Sequence, residues 1–189
     1  MNHSALNKAP KGKKSGIYTM AKAAVLTALM CVLSPLTIPI GPVPISLSVL
    51  VILFSVYVLG WKLGTLSVIV YILIGMVGVP VFSGFSGGIG KLLGPTGGYI
   101  LGYIPMAVIA GLAVEMSSKR WVHFLGMVAG VAVLYVFGTA WLSLSAKMTV
   151  PAALAVAVLP FIPFDAVKII IAMIAGPMIK ERLEKAGLF

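Results

Sequence analysis

The sequence predicts an all-α integral membrane protein, a bundle of six transmembrane helices with both termini in the cytoplasm. Three observations lead there. Only 10% of the residues are charged while 60% are hydrophobic, whereas a soluble domain carries about a quarter charged residues to keep its surface wetted. The apolar residues fall into six runs, several of them near the roughly 20 residues that cross a bilayer. The Lys and Arg residues sit in short clusters between those runs.

Residues 1–16 read as a basic cytoplasmic tail, and 17–189 as a single six-helix membrane domain. The first run, 17–37, is a retained span. The apolar stretch it opens is too long for the h-region of a signal peptide and has no A-x-A exit. Pro39-Ile40-Gly41-Pro42-Val43-Pro44 breaks the chain next. The second and third runs, 45–59 and 63–78, are short for a hydrocarbon core of about 30 Å and are parted by Gly60-Trp61-Lys62-Leu63-Gly64. A Gly-rich loop over 79–97 precedes the fourth run, 98–116; the fifth and sixth span 122–143 and 152–179. Ala24-xxx-Ala28, Gly98-xxx-Gly102 and Gly126-xxx-Gly130 offer small faces for close helix contact. Trp61, Trp121, Tyr18 and Tyr103, near span ends, read as interface anchors.

Charge sets the orientation. With the N-terminus inside, the inner segments hold Lys8, Lys11, Lys13, Lys14, Lys22, Lys62, Lys119, Arg120, Lys180, Arg182 and Lys185. The outer segments hold only Lys91 and Lys147, and Lys168 stays within the membrane, which accounts for all 14 basic residues. The Pro-rich turn, the Gly-rich loop and the approach to the sixth span then gather on the outer side. Irregular backbone there must be buried in protein or line a watery cavity. A ligand cavity open to the outside is the natural site.

The net charge of +10 does not indicate nucleic acid, because no basic face with interleaved aromatics exists. A lone Cys31 excludes an internal disulfide, and His3 and His123 make no metal-ligand set. A P-loop ending at Lys91 would need Gly at Phe85 and Ser or Thr at Leu92, and a dinucleotide fingerprint from Gly88 fails at Leu93. What remains of the Gly-rich loop is backbone at Ser86, Gly87 and Gly88 able to approach a ligand closely. No Ser/His/Asp arrangement and no second carboxylate near Asp165 suggests an enzyme.

Asp165 and Lys168 are the sharpest signal, the only ionisable residues in the last apolar run. At i, i+3 they share a helix face and can pair. A charge at membrane depth is functional by default; the bland alternative is a self-neutralising structural pair. An adjacent acceptor and donor suits a urea, an amide or a zwitterion.

Gly41-Pro42-Val43-Pro44-Ile45, Gly78-Val79-Pro80-Val81-Phe82-Ser83-Gly84, Gly94-Pro95-Thr96-Gly97-Gly98-Tyr99 and Phe164-Asp165-Ala166-Val167-Lys168, in that order, resemble the BioY family. The resemblance implies an S-component fold in the plasma membrane that captures biotin from outside. It also implies a transmembrane coupling subunit and two ATPase subunits as partners, and biotin binding by Asp165 and Lys168. Family members can carry an Asn near the Gly-rich loop; here Ser86 and Gly87 hold that neighbourhood. Biotin's chemistry fits: Asp165 can accept from a ureido N–H, and Lys168 can donate to the ureido carbonyl or to the carboxylate. Phe82, Phe85, Tyr99 and Phe164 are available to wall the ring. Ala24 and Ala28 are the candidate contact with the coupling subunit. Two other functions were weighed: a self-sufficient secondary carrier of a small polar solute, and a membrane enzyme or assembly subunit without a ligand. The first is disfavoured by the lack of a convincing internal repeat.

Overall fold

The computed structural model describes residues 11–39 and 43–185. Most of the basic tail, including His3 and Lys8, and Gly41-Pro42 of the first motif lie outside them. In chain order the elements are α1 (Lys11–Leu33), β1 (Thr37–Ile38), β2 (Ile45–Ser46), α2 (Ser48–Met76), α3 (Ile89–Leu93), α4 (Gly97–Met116), α5 (Arg120–Ser145), α6 (Val150–Ala157) and α7 (Ile162–Lys185). Among the described residues, five helices are long and apolar enough to cross a membrane: α1, α2, α4, α5 and α7.

The differences from the expected spans have local causes. Helix α1 begins at Lys11, inside the segment read as tail, and ends at Leu33. Pro35 follows two residues later, and a proline disfavours helical geometry in the residue before it. The chain then enters a two-stranded antiparallel hairpin, pairing Thr37 with Ser46 and Ile38 with Ile45. The sixth run is two helices rather than one. Helix α6 stops at Ala157 and α7 starts at Ile162, with Pro160 between them. Pro163 sits in the first turn of α7, where a missing N–H leaves nothing unpaired.

The second and third runs form the single element α2, interrupted at Gly60 (φ 79°, ψ 177°). That backbone region is essentially restricted to glycine. A Cβ on Gly64 would lie 2.8 Å from the Cα of Val56, although eight residues of straight helix span about 12 Å. The chain therefore doubles back at Gly60, and the halves 48–59 and 61–76 pack on each other. Glu115 at the end of α4 holds the break: its Oε1 accepts the Trp61 backbone N–H at 2.9 Å, capping the second half. Trp61 packs against Gly111 of α4, where an added Cβ would lie 2.6 Å from the Trp61 Cα.

Small residues set the other contacts. Gly98 and Gly102 of α4 lie against Trp141, Leu134 and Phe137 of α5, while Gly126 and Gly130 of α5 lie against Ala113 and Met106 of α4. Two of the three small-residue faces thus build one interface. The third differs, because Ala24 and Ala28 of α1 remain exposed. Tyr57 of α2 packs on Gly176 of α7, and its hydroxyl bonds Nδ1 of His123 in α5 at 2.9 Å. His123 Nε2 lies 2.6 Å from the Ser117 carbonyl, so Nε2 carries the proton and, in the neutral ring, Nδ1 accepts from Tyr57. His123 is a buried tie between helices.

Gly60→Ala places a side chain in a glycine-only conformation and against Glu115. It should cost about 1–3 kcal/mol. Thermal unfolding in detergent should show a clear loss for Gly60→Ala and none for Gly90→Ala, because an added Cβ at Gly90 meets nothing within 4 Å. Equal midpoints for the two variants would contradict the reversal at Gly60.

Candidate functional site

The break between α6 and α7 positions the charged pair. The turn over 158–161 ends with the Asp165 N–H bonded to the Phe161 carbonyl at 2.8 Å, so the carboxylate emerges in the first turn of α7. A negative charge is stabilised at that end of a helix. Lys168, one turn on, donates to Asp165 Oδ1 at 2.7 Å. The other oxygen, Oδ2, accepts from the Tyr135 hydroxyl of α5 at 2.6 Å. Asp165 is 3% exposed and Lys168 7%. Taking either ion out of water alone costs several kcal/mol, and the pairing with Tyr135 offsets that penalty.

A cavity of about 40 Å³ opens beside these groups. Its floor is Tyr99 and Tyr103 from α4 with Leu134 and Tyr135 from α5; its other walls are Phe161, the pair itself, and Val43, Pro44, Ser46 and Val49 from the hairpin and the start of α2. The surroundings are mostly apolar, with polar groups at few points, the composition expected of a small-molecule site. The Tyr99 hydroxyl donates to the Ala157 carbonyl at 2.9 Å, tying the end of α6 to α4 beneath the cavity. Ser46 Oγ donates to Ser48 Oγ at 2.9 Å, which holds β2 against the start of α2.

Of the residues singled out in the sequence, Asp165, Lys168 and Tyr99 meet at this cavity. Phe82, Ser86, Gly87, Gly88 and Phe164 do not line it. Phe82 is fully buried, edge-on to Tyr71 with ring centres 5.7 Å apart. Ser86 pairs with Phe82 in an isolated bridge and donates its hydroxyl to the Ser83 carbonyl at 2.8 Å. Gly87 lies against the Val79 carbonyl, and the Gly88 N–H donates to the Gly75 carbonyl at 2.7 Å. The Gly-rich loop is folded onto the end of α2, with its Gly84, Ser86 and Gly88 amides bonded within the protein. Phe164 points outward, 43% exposed, and Phe85 is 66% exposed.

Four contributors escaped the sequence reading. Tyr103, expected at the membrane interface, is buried in the cavity wall. Tyr135 and Phe161 sit inside apolar runs where no pattern separates them from packing residues. Ser46 carried no motif. The signal available for Tyr135 was its place in the same bundle as an unsolvated carboxylate, since such a group needs more than one donor.

The BioY family model matches residues 5–185. A protein of Thermotoga maritima named biotin transporter BioY is 38% identical over 162 residues, covering 86% of this chain and 95% of its own length. Biotin transporter BioY of Lactococcus lactis is 33% identical over 182 residues, covering 92% of this chain and 94% of its own. A crystal structure described as the S-component for biotin from an ECF-type ABC transporter superposes with a TM-score of 0.80 at 31% identity, covering 91% of this chain and 93% of that one. With five membrane-length apolar helices, these similarities make the chain a multi-pass membrane protein.

The pair makes a stability test possible before any ligand is added. Lys168→Met leaves Asp165 buried with Tyr135 alone and should destabilise by about 3–5 kcal/mol. Adding Asp165→Asn should recover most of the loss in thermal unfolding. No recovery in the double variant would mean that Lys168 stabilises the fold by something other than pairing with Asp165.

Proposed function

The chain belongs to the BioY family, and from that premise we propose that it is the biotin-capturing membrane subunit of an ECF-type ABC transporter in the plasma membrane. The observation that carries this reading is the buried Asp165–Lys168 pair, ordered by Tyr135 at the wall of a mostly apolar cavity. Biotin's ureido head needs an acceptor for N–H and a donor for its carbonyl, bonds that charge strengthens, and its thioether ring suits apolar walls. Asp165 supplies the acceptor, Lys168 the donor, and Tyr99, Tyr103 and Phe161 the walls. Lys168 could instead meet the ligand's carboxylate; both poses use the same ammonium. These groups serve recognition, and the reading involves no enzymatic step.

A cavity of about 40 Å³ is far below the roughly 300 Å³ at which ligand pockets begin. Binding biotin therefore requires a wall to move. The hairpin carrying Val43, Pro44 and Ser46 pairs its strands through two residue pairs among the described residues. Through the Gly84 N–H, bonded to the Pro35 carbonyl at 3.1 Å, the Gly-rich loop is tied to the root of that hairpin. We keep Ser86, Gly87 and Gly88 in the proposed site as groups that reach the ligand when hairpin and loop shift together. Phe82 acts as the loop's buttress, and Phe164 belongs to the outer rim.

The topology completes the proposal. Counting the two halves of α2 as separate spans gives six with α1, α4, α5 and α7, returning both termini to the cytoplasm and leaving all the basic residues but Lys91, Lys147 and Lys168 inside. Residues 17–189 then form one membrane domain. A transmembrane coupling subunit and two ATPase subunits are the proposed partners. Ala24 and Ala28, exposed on α1 beside a groove shared with the second half of α2, are the proposed contact with the coupling subunit.

Calorimetric titration in detergent should give nanomolar or tighter biotin binding, about −12 kcal/mol, with no competition from riboflavin or thiamine. Millimolar binding would remove the assignment. Asp165→Asn should weaken binding by roughly one to two powers of ten through loss of a charge-assisted bond. The double variant Asp165→Asn, Lys168→Met should stay stable yet not bind; full binding by it would exclude the pair as the site.

Replacing both Ala24 and Ala28 by Trp should abolish uptake by a complete transporter while leaving biotin binding intact. Loss of both activities would show that these residues pack the bundle instead.

A further inference from the structure

The carboxylate of Asp165 borders two spaces. One is the small cavity, which Lys168 also lines. The other is a groove of about 260 Å³ between α5 and α7, with Phe124, Val128, Val131 and Ile162 along it. Phe124, Val128 and Ile162 are exposed, so this groove opens on the outer surface of the bundle. Tyr135 borders both spaces, and Lys168 only the first. Among the described residues that line the groove, Tyr135 alone carries a side-chain donor.

Tyr135 thereby stands where the acid needs it. The carboxylate torsion of aspartate is broad, so its plane is set by the donors that hold its oxygens. Lys168 holds Oδ1 from one turn along α7 at 2.7 Å, and Tyr135 holds Oδ2 from a different helix at 2.6 Å. Two donors on separate elements fix a plane that neither fixes alone. The Tyr135 bond lies in the range of charge-assisted O–H···O⁻ bonds. Its acceptor is buried, so bulk water does not stand in for the hydroxyl.

We infer that Tyr135 is the positioning residue of the binding site and sets its selectivity for a urea with a free N–H. The inference rests on the reading of Asp165 as the acceptor for that group. Each carboxylate oxygen can accept a second bond, and the Tyr135 hydroxyl fixes the edge of the acid that a ligand in the cavity meets. Without it the remaining donor to the carboxylate is Lys168. The acid then turns both oxygens toward the ammonium, and the edge offered to the ligand turns with it.

Tyr135→Phe keeps the ring, and with it the wall between cavity and groove, and removes only the donor. The Asp165–Lys168 pair still neutralises the acid, so the variant should fold. Calorimetric titration of the full chain in detergent compares biotin with two analogues, each methylated at one ureido nitrogen. The unaltered protein should bind biotin at least about tenfold tighter than the analogue whose methyl replaces the hydrogen given to Asp165. Tyr135→Phe should weaken biotin about tenfold and leave that analogue nearly unchanged, so that the preference collapses. Val131→Ala trims the groove one turn away without touching a donor. It should lower the unfolding midpoint and leave the preference intact. If Tyr135→Phe is too unstable to titrate, the ligand-induced shifts of its unfolding midpoint read the same ratio. Equal losses for biotin and both analogues would overturn the inference, because Tyr135 would then only pack α5 against α7. A preference lost equally in Val131→Ala would overturn it as well. Millimolar biotin binding by the unaltered protein would overturn the reading of Asp165 as the acceptor, and the inference with it.

Discussion

The structure around the cavity is organised by the need to neutralise one carboxylate away from water. Asp165 has both oxygens engaged, one by Lys168 and one by Tyr135, and each partner comes with a geometric demand. Lys168 fixes the register of α7, because only a helical turn places it three residues on. Tyr135 fixes how α5 approaches α7. The interruption between α6 and α7 at Pro160 serves the same end, since it leaves the acid in a first turn, where backbone N–H groups favour negative charge. A ligand that engages Asp165 competes with groups that also hold helices together. Recognition and helix packing thus draw on the same few bonds.

Much of this was legible in the sequence wherever composition alone decides. Apolar runs exposed the membrane-length helices, and two ionisable residues in the final run marked the pair. Four motifs in order, of which only the last holds Asp165 and Lys168, carried the family. What the sequence left open depends on long-range contact. Gly60 looks like any other loop glycine until Glu115, more than fifty residues away, is seen capping the turn. Tyr103 looks like an interfacial tyrosine, and only the packing of α4 against α5 through Gly102 and Gly130 turns it inward. The Gly-rich loop invited a reading as a ligand-facing backbone. That its Gly88 and Gly84 amides bond the Gly75 and Pro35 carbonyls depends on where the ends of α1 and α2 lie.

The close α4–α5 contact and the looser surroundings of α7 divide the bundle into parts of different stiffness. Glycine on both faces of α4 and α5 brings their backbones near each other, and such contacts tolerate little displacement. The outer wall of the cavity is a hairpin two residue pairs long. A rigid floor that carries the tyrosines and a lightly tied cover are what a high-affinity site needs if the ligand is to enter and then be enclosed.

The reversal at Gly60 also bears on the bilayer itself. The half of α2 over 61–76 is about 24 Å long, some 6 Å short of a typical hydrocarbon slab, and it shows Leu66, Val70 and Leu73 on its outer surface. Where that half crosses a bilayer, so short a wall is met by thinning of the lipid around it, by flanking side chains that reach out to the interface, or by a neighbouring protein that covers it, each at a fraction of a kcal/mol per Å of mismatch.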